Sequence, residues 1–188
     1  MPATFSALNA SKANFDDIYV MPDPRGYFSV LGSLDYMIPD IAEPIIRQIL
    51  EAWCSRHTGK PRVLDVGCSY GINAAVHRLP VTFATLRRRY SRREMAALDP
   101  QDVARLDRNY YAGWPDNGLA SFVGLDVSRP AITYAKEVGL IEDGIVADLE
   151  RSTLNPEAAR IVESVDVILS TGCVGYVTEK TFSSLIGA

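Results

Sequence analysis

Four short apolar runs recur along the chain, each closed by turn residues. Val63, Leu64 and Val66 form the first, Ser121 to Leu125 the second, Leu140-Ile141 through Gly144 to Ala147 the third and Val165 to Leu169 the fourth. Runs of this length, rich in β-branched residues, read as strands buried on both faces of a parallel sheet. Between them the apolar spacing changes to the helical period. Helices are predicted from Ile72 to about Leu79, from a Ser128 N-cap with Pro130 in the first turn, from an Asn155 cap through Val162, and from Glu179 onward. Before the first strand, Ile41, Ile45, Ile46, Ile49, Leu50 and Trp53 recur at helical spacing behind Asp40, whose Glu43 completes a capping box. This helix is expected to end near His57 and to pack on one face of the sheet. Strands alternating with helices make an α/β fold with parallel strands.

Two stretches interrupt the alternation. Residues 16–39 are punctuated by Pro22, Pro24 and Pro39 and dense in Tyr19, Tyr27, Phe28 and Tyr36. They read as a small aromatic cap over the core, with Tyr27 or Tyr36 placed to close over a ligand. Between the first helix and second strand lies an insertion of about 30 to 40 residues, judged against the usual spacing of nucleotide-binding βαβ units. It holds Arg87, Arg88, Arg89, Arg92 and Arg93, a helix start at Asp99-Pro100 with Asp102, and the aromatics Tyr110, Tyr111 and Trp114. Three readings stay open. It is a lid that steers an anionic acceptor through residues such as Arg88 and Trp114, a basic aromatic patch for RNA, or a solvated helix face over core aromatics. The division is therefore a cap and preceding helix over residues 1–60 and a Rossmann-like domain over 61–188, with the insertion at about 80–118.

Composition narrows the class. The chain has 188 residues, 47% hydrophobic and 22% charged, as in a soluble globular domain. A net charge of −4 gives no bulk attraction to nucleic acid. No apolar run is long enough to span a bilayer, and residues 1–15 are polar, loose in expectation and without the pattern of a secretory signal. Cys54, Cys68 and Cys173 are scattered and odd in number, which points to reduced thiols and a cytoplasmic setting. His57 and His77 are isolated, so no metal site is expected.

The candidate chemistry sits where the first strand ends, in RVLDVGCSYG from Arg62 to Gly71. The glycines are spaced G-x-x-x-G, which fails the dinucleotide fingerprint, and no lysine follows for a phosphate loop. An ordinary strand-to-helix turn with a buried Asp as helix cap also fits. Asp65, Gly67, Ser69 and Gly71 resemble motif I of the class I S-adenosylmethionine-dependent methyltransferases, an acidic residue followed by G-x-G-x-G, with Ser69 in place of the middle glycine. The resemblance covers Arg62 to Tyr176 apart from the insertion. It implies a Rossmann-like sheet with helices on both faces and strand order 3-2-1-4. It also implies S-adenosyl-L-methionine as cofactor, S-adenosyl-L-homocysteine as product and a small-molecule acceptor.

The resemblance assigns roles by order along the chain. Gly67, Cys68, Ser69 and Gly71 would let backbone approach the amino-acid portion of the cofactor, with Asp65 orienting it directly or through water. Asp126, with Val127, would hold the ribose; Asp148 and Leu149 would meet the adenine, although Asp148 also suits a turn cap. Ser170, Thr171 and Gly172 leave the fourth strand beside the crevice, where ligands bind in open α/β sheets. Thr171, Cys173 and Tyr176 are candidates for the acceptor side, and none forms a recognisable acid–base set, so proximity and orientation carry the expected catalysis. A complete domain of the resembled family has three further strands. The fourth strand therefore reads as an edge that a homo-oligomer, a second chain or the rest of a truncated protein would cover. Two further readings are a cofactor-binding module without activity and an RNA methyltransferase.

Overall fold

The computed structural model describes residues 16–187. Helices α1 (Asp16–Tyr19), α2 (Arg25–Ser33) and α3 (Ile38–Cys54) precede β1 (Arg62–Val66) and α4 (Ile72–Arg78). The insertion forms α5 (Phe83–Tyr90), α6 (Arg93–Ala96) and α7 (Pro100–Ala112). β2 (Ser121–Asp126), α8 (Arg129–Glu137), β3 (Asp143–Val146), α9 (Pro156–Glu163), β4 (Val167–Ser170) and α10 (Glu179–Ile186) complete the order. The segment 1–15 that the sequence reads as loose lies outside the described residues. The four strands are all parallel in the order β3-β2-β1-β4, the Rossmann-like arrangement that the alternation and the resemblance imply.

The sheet separates two apolar layers. Val63 and Phe122 point into the larger one, with the cap and insertion aromatics, while Leu64, Val66, Val123 and Ile145 point into the smaller one under α9 and α10. Successive residues of β1 thus feed opposite layers, as a central strand must. The helix starts follow side-chain capping: Asp99 accepts from the N–H of Asp102, Ser128 from that of Ala131 and Asn155 from that of Ala158. Each has proline in the first turn, so the sequence-level signals and the observed starts coincide.

Three expectations are corrected. Met37, not Asp40, precedes the first turn of α3; the Asp40 carboxylate accepts the N–H of Phe83 at 2.7 Å and so satisfies the start of α5 instead. The apolar stripe of α3 is split: Leu50 is buried and Ile46 packs on the core, but Ile41, Ile45 and Ile49 are 60%, 61% and 55% exposed. The six residues form two stripes on one helix, and only one of them can face the sheet. β4 is the edge strand that the order 3-2-1-4 implies, paired only with β1 among the described strands, but it is not buried on both faces as its apolar run suggests, since Ile168 is 38% exposed.

The insertion is built into the core. Asp107, fully buried, accepts from Arg89 Nε at 2.9 Å and from the hydroxyls of Tyr90 and Tyr134 at 2.9 and 2.7 Å. The Arg89 guanidinium also lies 4.1 Å from the centre of the Tyr110 ring. One network therefore joins α5, α7 and α8. Phe28 of the cap stacks on Tyr90 with ring centres 4.7 Å apart, so cap and insertion share one aromatic cluster.

Candidate functional site

β1 ends at Val66 and turns through Gly67 and Ser69 to Gly71, the residue before α4. Gly67, Ser69 and Gly71 have φ of 71°, 49° and 80°, all left-handed. Ser69 is one of two described non-glycine residues with positive φ. It occupies the position where the resembled motif has its middle glycine, the residue type that takes this conformation without strain. The Ser69 N–H donates to Asp126 Oδ2 at 2.8 Å, and the Ser128 N–H donates to Asp126 Oδ1 at 2.9 Å. The β1 turn is thereby fastened to the acidic end of β2. Burial raises the Asp126 carboxyl while these N–H groups oppose the shift.

Beneath the turn, Asp65 is fully buried. Its Oδ1 accepts from Asn73 Nδ2 at 2.9 Å and its Oδ2 has no hydrogen-bond partner; the Ser69 hydroxyl is likewise buried and unpartnered. Burial pushes the Asp65 carboxyl up to about 7, against the pull of Asn73. Asn73 also donates to Thr171 Oγ1 at 2.9 Å, so one amide links β1, α4 and the exit of β4. A buried acceptor left without a donor is costly. Asp65 Oδ2 and Ser69 Oγ are thus the buried polar atoms of this turn that the fold itself leaves without a partner.

The cap touches three strand exits. The Tyr70 hydroxyl reaches the carbonyls of Ile18 at 2.8 Å and Met21 at 2.9 Å. Ser128 Oγ donates to the Tyr19 carbonyl. Tyr36 sets its hydroxyl 2.6 Å from where a Cβ on Gly172 would stand. Gly172 has φ of 75°, so both conformation and space require glycine there. Burial raises the Tyr36 hydroxyl to about 12, which keeps it a neutral donor.

The other predicted residues fall into two groups. Cys173 lies over the turn: a Cβ on Gly67 would meet Cys173 Cβ at 2.5 Å, so Gly67 makes room for the β4 exit loop. The Cys173 thiol donates to the Val66 carbonyl at 3.0 Å and burial raises it, which makes it no thiolate nucleophile. Val127, 67% exposed, offers an apolar surface beside Asp126. Asp148 caps its own turn, accepting the N–H of Glu150 at 3.1 Å. Leu149 is buried in the smaller apolar layer and Cys68 in the larger, so neither side chain presents itself to a ligand.

Arg88 and Trp114 are not brought to the strand exits. Arg88 lines a cavity of about 240 Å³ with Thr85, Arg89, Arg92 and Tyr110, and Trp114 packs edge-on against Tyr110. A second cavity, about 280 Å³, lies between β3 and α9 and includes none of the turn residues. Asn73 and Tyr70 are site residues that sequence reasoning missed. A lone amide in the apolar stretch INAAV of a helix due for burial was the available signal for Asn73. No helix among the described residues is long and apolar enough to cross a membrane, and no cluster of them could hold a metal ion. Comparison with protein-family models, curated proteins and solved structures returned no match.

Proposed function

We propose that the chain binds S-adenosylmethionine at the β1 turn and transfers its methyl group to a small-molecule acceptor. The observation that supports this most directly is the fastening of the left-handed Ser69 turn to Asp126, with an unpartnered buried Asp65 oxygen beside it. That combination offers a nucleoside-type ligand what it needs: a carboxylate at the β2 exit for a diol, free acceptors for an ammonium group and an apolar surface at Val127.

When bound, the cofactor supplies an electrophilic methyl group on a sulfonium centre. In this reading Asp65 and Ser69 hold its amino-acid portion and Asp126 its ribose, while Thr171, fixed by Asn73, and Tyr36, fixed over Gly172, shape the acceptor side. Asp148 remains the residue for the adenine amino group, which would compete with Arg151 for its Oδ2 at 3.5 Å, and Leu149 leaves the set because it is core. No side chain near the β4 exit combines a base with an orienting partner, so acceleration rests on alignment of acceptor and methyl. The raised Cys173 thiol and its seat over Gly67 favour the second reading, a module that binds the cofactor without turnover.

Calorimetric titration with S-adenosylhomocysteine tests the proposal. Micromolar binding that Asp126→Ala weakens at least 100-fold is the expected result, and a folded chain that takes no ligand overturns it. Binding without methyl transfer to any of a panel of amine, hydroxyl and carbon acceptors selects the module.

A further inference from the structure

We propose that the insertion carries a second binding site, for a compact phosphate-type dianion, in the cavity lined by Arg88, Arg89 and Arg92. The cavity holds about 240 Å³, and Thr85 and Tyr110 complete its lining. It shares no residue with the β1 turn, so the site does not depend on cofactor binding there.

Helical spacing gathers the lining. Arg88 and Arg89 follow Thr85 by one turn of α5, and Arg92 follows them by another, just past the helix end. Tyr110 comes from α7. Arg88 and Arg92 are thus like charges on one side of the cavity, an arrangement that costs stability unless something neutralises it. The helix C-terminus favours a cation in its last turn, which accounts for Arg88 but not for Arg92 beyond it.

The described residues supply no counter-charge for that pair. Arg87 faces Asp35 at 3.6 Å and Arg89 is bound to Asp107, but the side chains of Arg88 and Arg92 have neither an ion pair nor a hydrogen bond among the described residues. Glu94, the acid nearest in sequence to Arg92, does not line the cavity. Arg89 is held in place rather than free to swing. Asp107 takes its Nε and Nη2 at 2.9 and 2.7 Å, and its guanidinium rests 4.1 Å from the centre of the Tyr110 ring. Its Nη1 is left without a hydrogen-bond partner among the described residues, on a side chain whose ordering cost is already met by the fold.

Size and ring geometry set the ligand class. The cavity is smaller than the roughly 300 to 1,000 Å³ of sites for drug-sized molecules, so the occupant is compact. Planar guanidinium groups grip phosphate oxygens two at a time, and a dianion matches the two unpaired arginines in charge. Thr85, whose hydroxyl lies 3.0 Å from that of Thr82, and Tyr110 add hydroxyls. Single-stranded nucleic acid would need open aromatic faces for its bases. Here Arg89 lies over the Tyr110 ring, Trp114 meets that ring edge-on, and Tyr90 and Tyr111 are buried. A free phosphate or the phosphate of a small ester is therefore favoured over RNA.

The test is calorimetric titration of the full chain, at fixed ionic strength, with inorganic phosphate and with glycerol 3-phosphate. Arg88→Gln and Arg92→Gln are run beside it, with Arg93→Gln as a neighbouring control that does not line the cavity. All three positions are exposed, so the variants keep the far-ultraviolet dichroism of the parent. The expected result is saturable binding of at least one probe, weakened about tenfold or more by each lining variant. The control should stay within about twofold, as an exposed charge outside the site must. Tighter binding of the ester identifies a phosphorylated small molecule as the source, and tighter binding of phosphate the free ion. No saturable binding of either probe overturns the proposal, as does an equal loss in Arg93→Gln. Binding of an oligouridylate that phosphate does not displace overturns it in favour of a single-strand surface.

Discussion

Ser69 shows how one residue carries the logic of the turn. Its left-handed backbone aims an N–H at Asp126, and its hydroxyl is buried without a partner. Glycine would adopt the same conformation without the steric cost and would remove the unsatisfied hydroxyl. Ser69→Gly is expected to raise stability by about 1 kcal/mol in urea titration, less than the strain alone because glycine also loosens the unfolded chain. Binding of S-adenosylhomocysteine should weaken, because the Ser69 hydroxyl is one of the acceptors proposed for its ammonium group; a destabilised variant would mean that the hydroxyl has a partner in solution. Much of this site was legible at the level of residue type. Asp65, the glycines and Asp126 stand where the motif implies, because turn and strand end are local features. Asn73 and Tyr70 were not legible, since their roles depend on Thr171 and on the carbonyls of Ile18 and Met21, far away in sequence.

At the scale of elements, the insertion is held by its buried acid. Arg89 reads in the sequence as one of five arginines free to meet a substrate, but its guanidinium is committed to Asp107. Removing Asp107 would strand a partly buried cation and the hydroxyls of Tyr90 and Tyr134. Asp107→Ala is expected to cost about 3 to 5 kcal/mol in denaturant midpoint analysis. Arg105→Ala, which breaks an exposed pair with Asp102, should leave the denaturant midpoint unchanged within error. Equal effects would show that the network holds nothing. Element starts could be read from sequence because caps are local: Asp99, Ser128 and Asn155 each bond an N–H within the next three residues. The facing of α3 could not be read this way. Ile41, Ile45 and Ile49 form one stripe and Ile46, Leu50 and Trp53 another, and periodicity does not rank two apolar stripes on one helix. The extent of β3 was also overread, because Leu140 and Ile141 are buried loop residues whose apolarity looks like strand.

For the whole molecule, acid is the informative perturbation. His77 is buried against Phe122 with neither ring nitrogen bonded, and burial lowers it to about 4. The unfolded chain takes up this proton near pH 6.5 and the folded chain does not until near 4. Folding stability is therefore lost as pH falls through that window, on the order of 2 to 3 kcal/mol. Asp65 acts in the opposite sense, because its raised carboxyl keeps a proton that the unfolded chain has already released; its contribution is lost as pH rises towards 7. The comparison of variant with parent isolates the histidine. His77→Leu should flatten the acid limb of the stability curve between pH 6.5 and 4, and an unchanged limb would place the ring in contact with water.

The three contacts of the cap tie one small element to the exits of three strands at once. Tyr70 pins the cap to the β1 turn, Ser128 pins it to the β2 exit and Tyr36 rests on the β4 exit. If the proposed cofactor binds at the β1 turn, its exchange is expected to follow the loosening of these contacts, and protease cutting within the cap becomes a clock for that exchange.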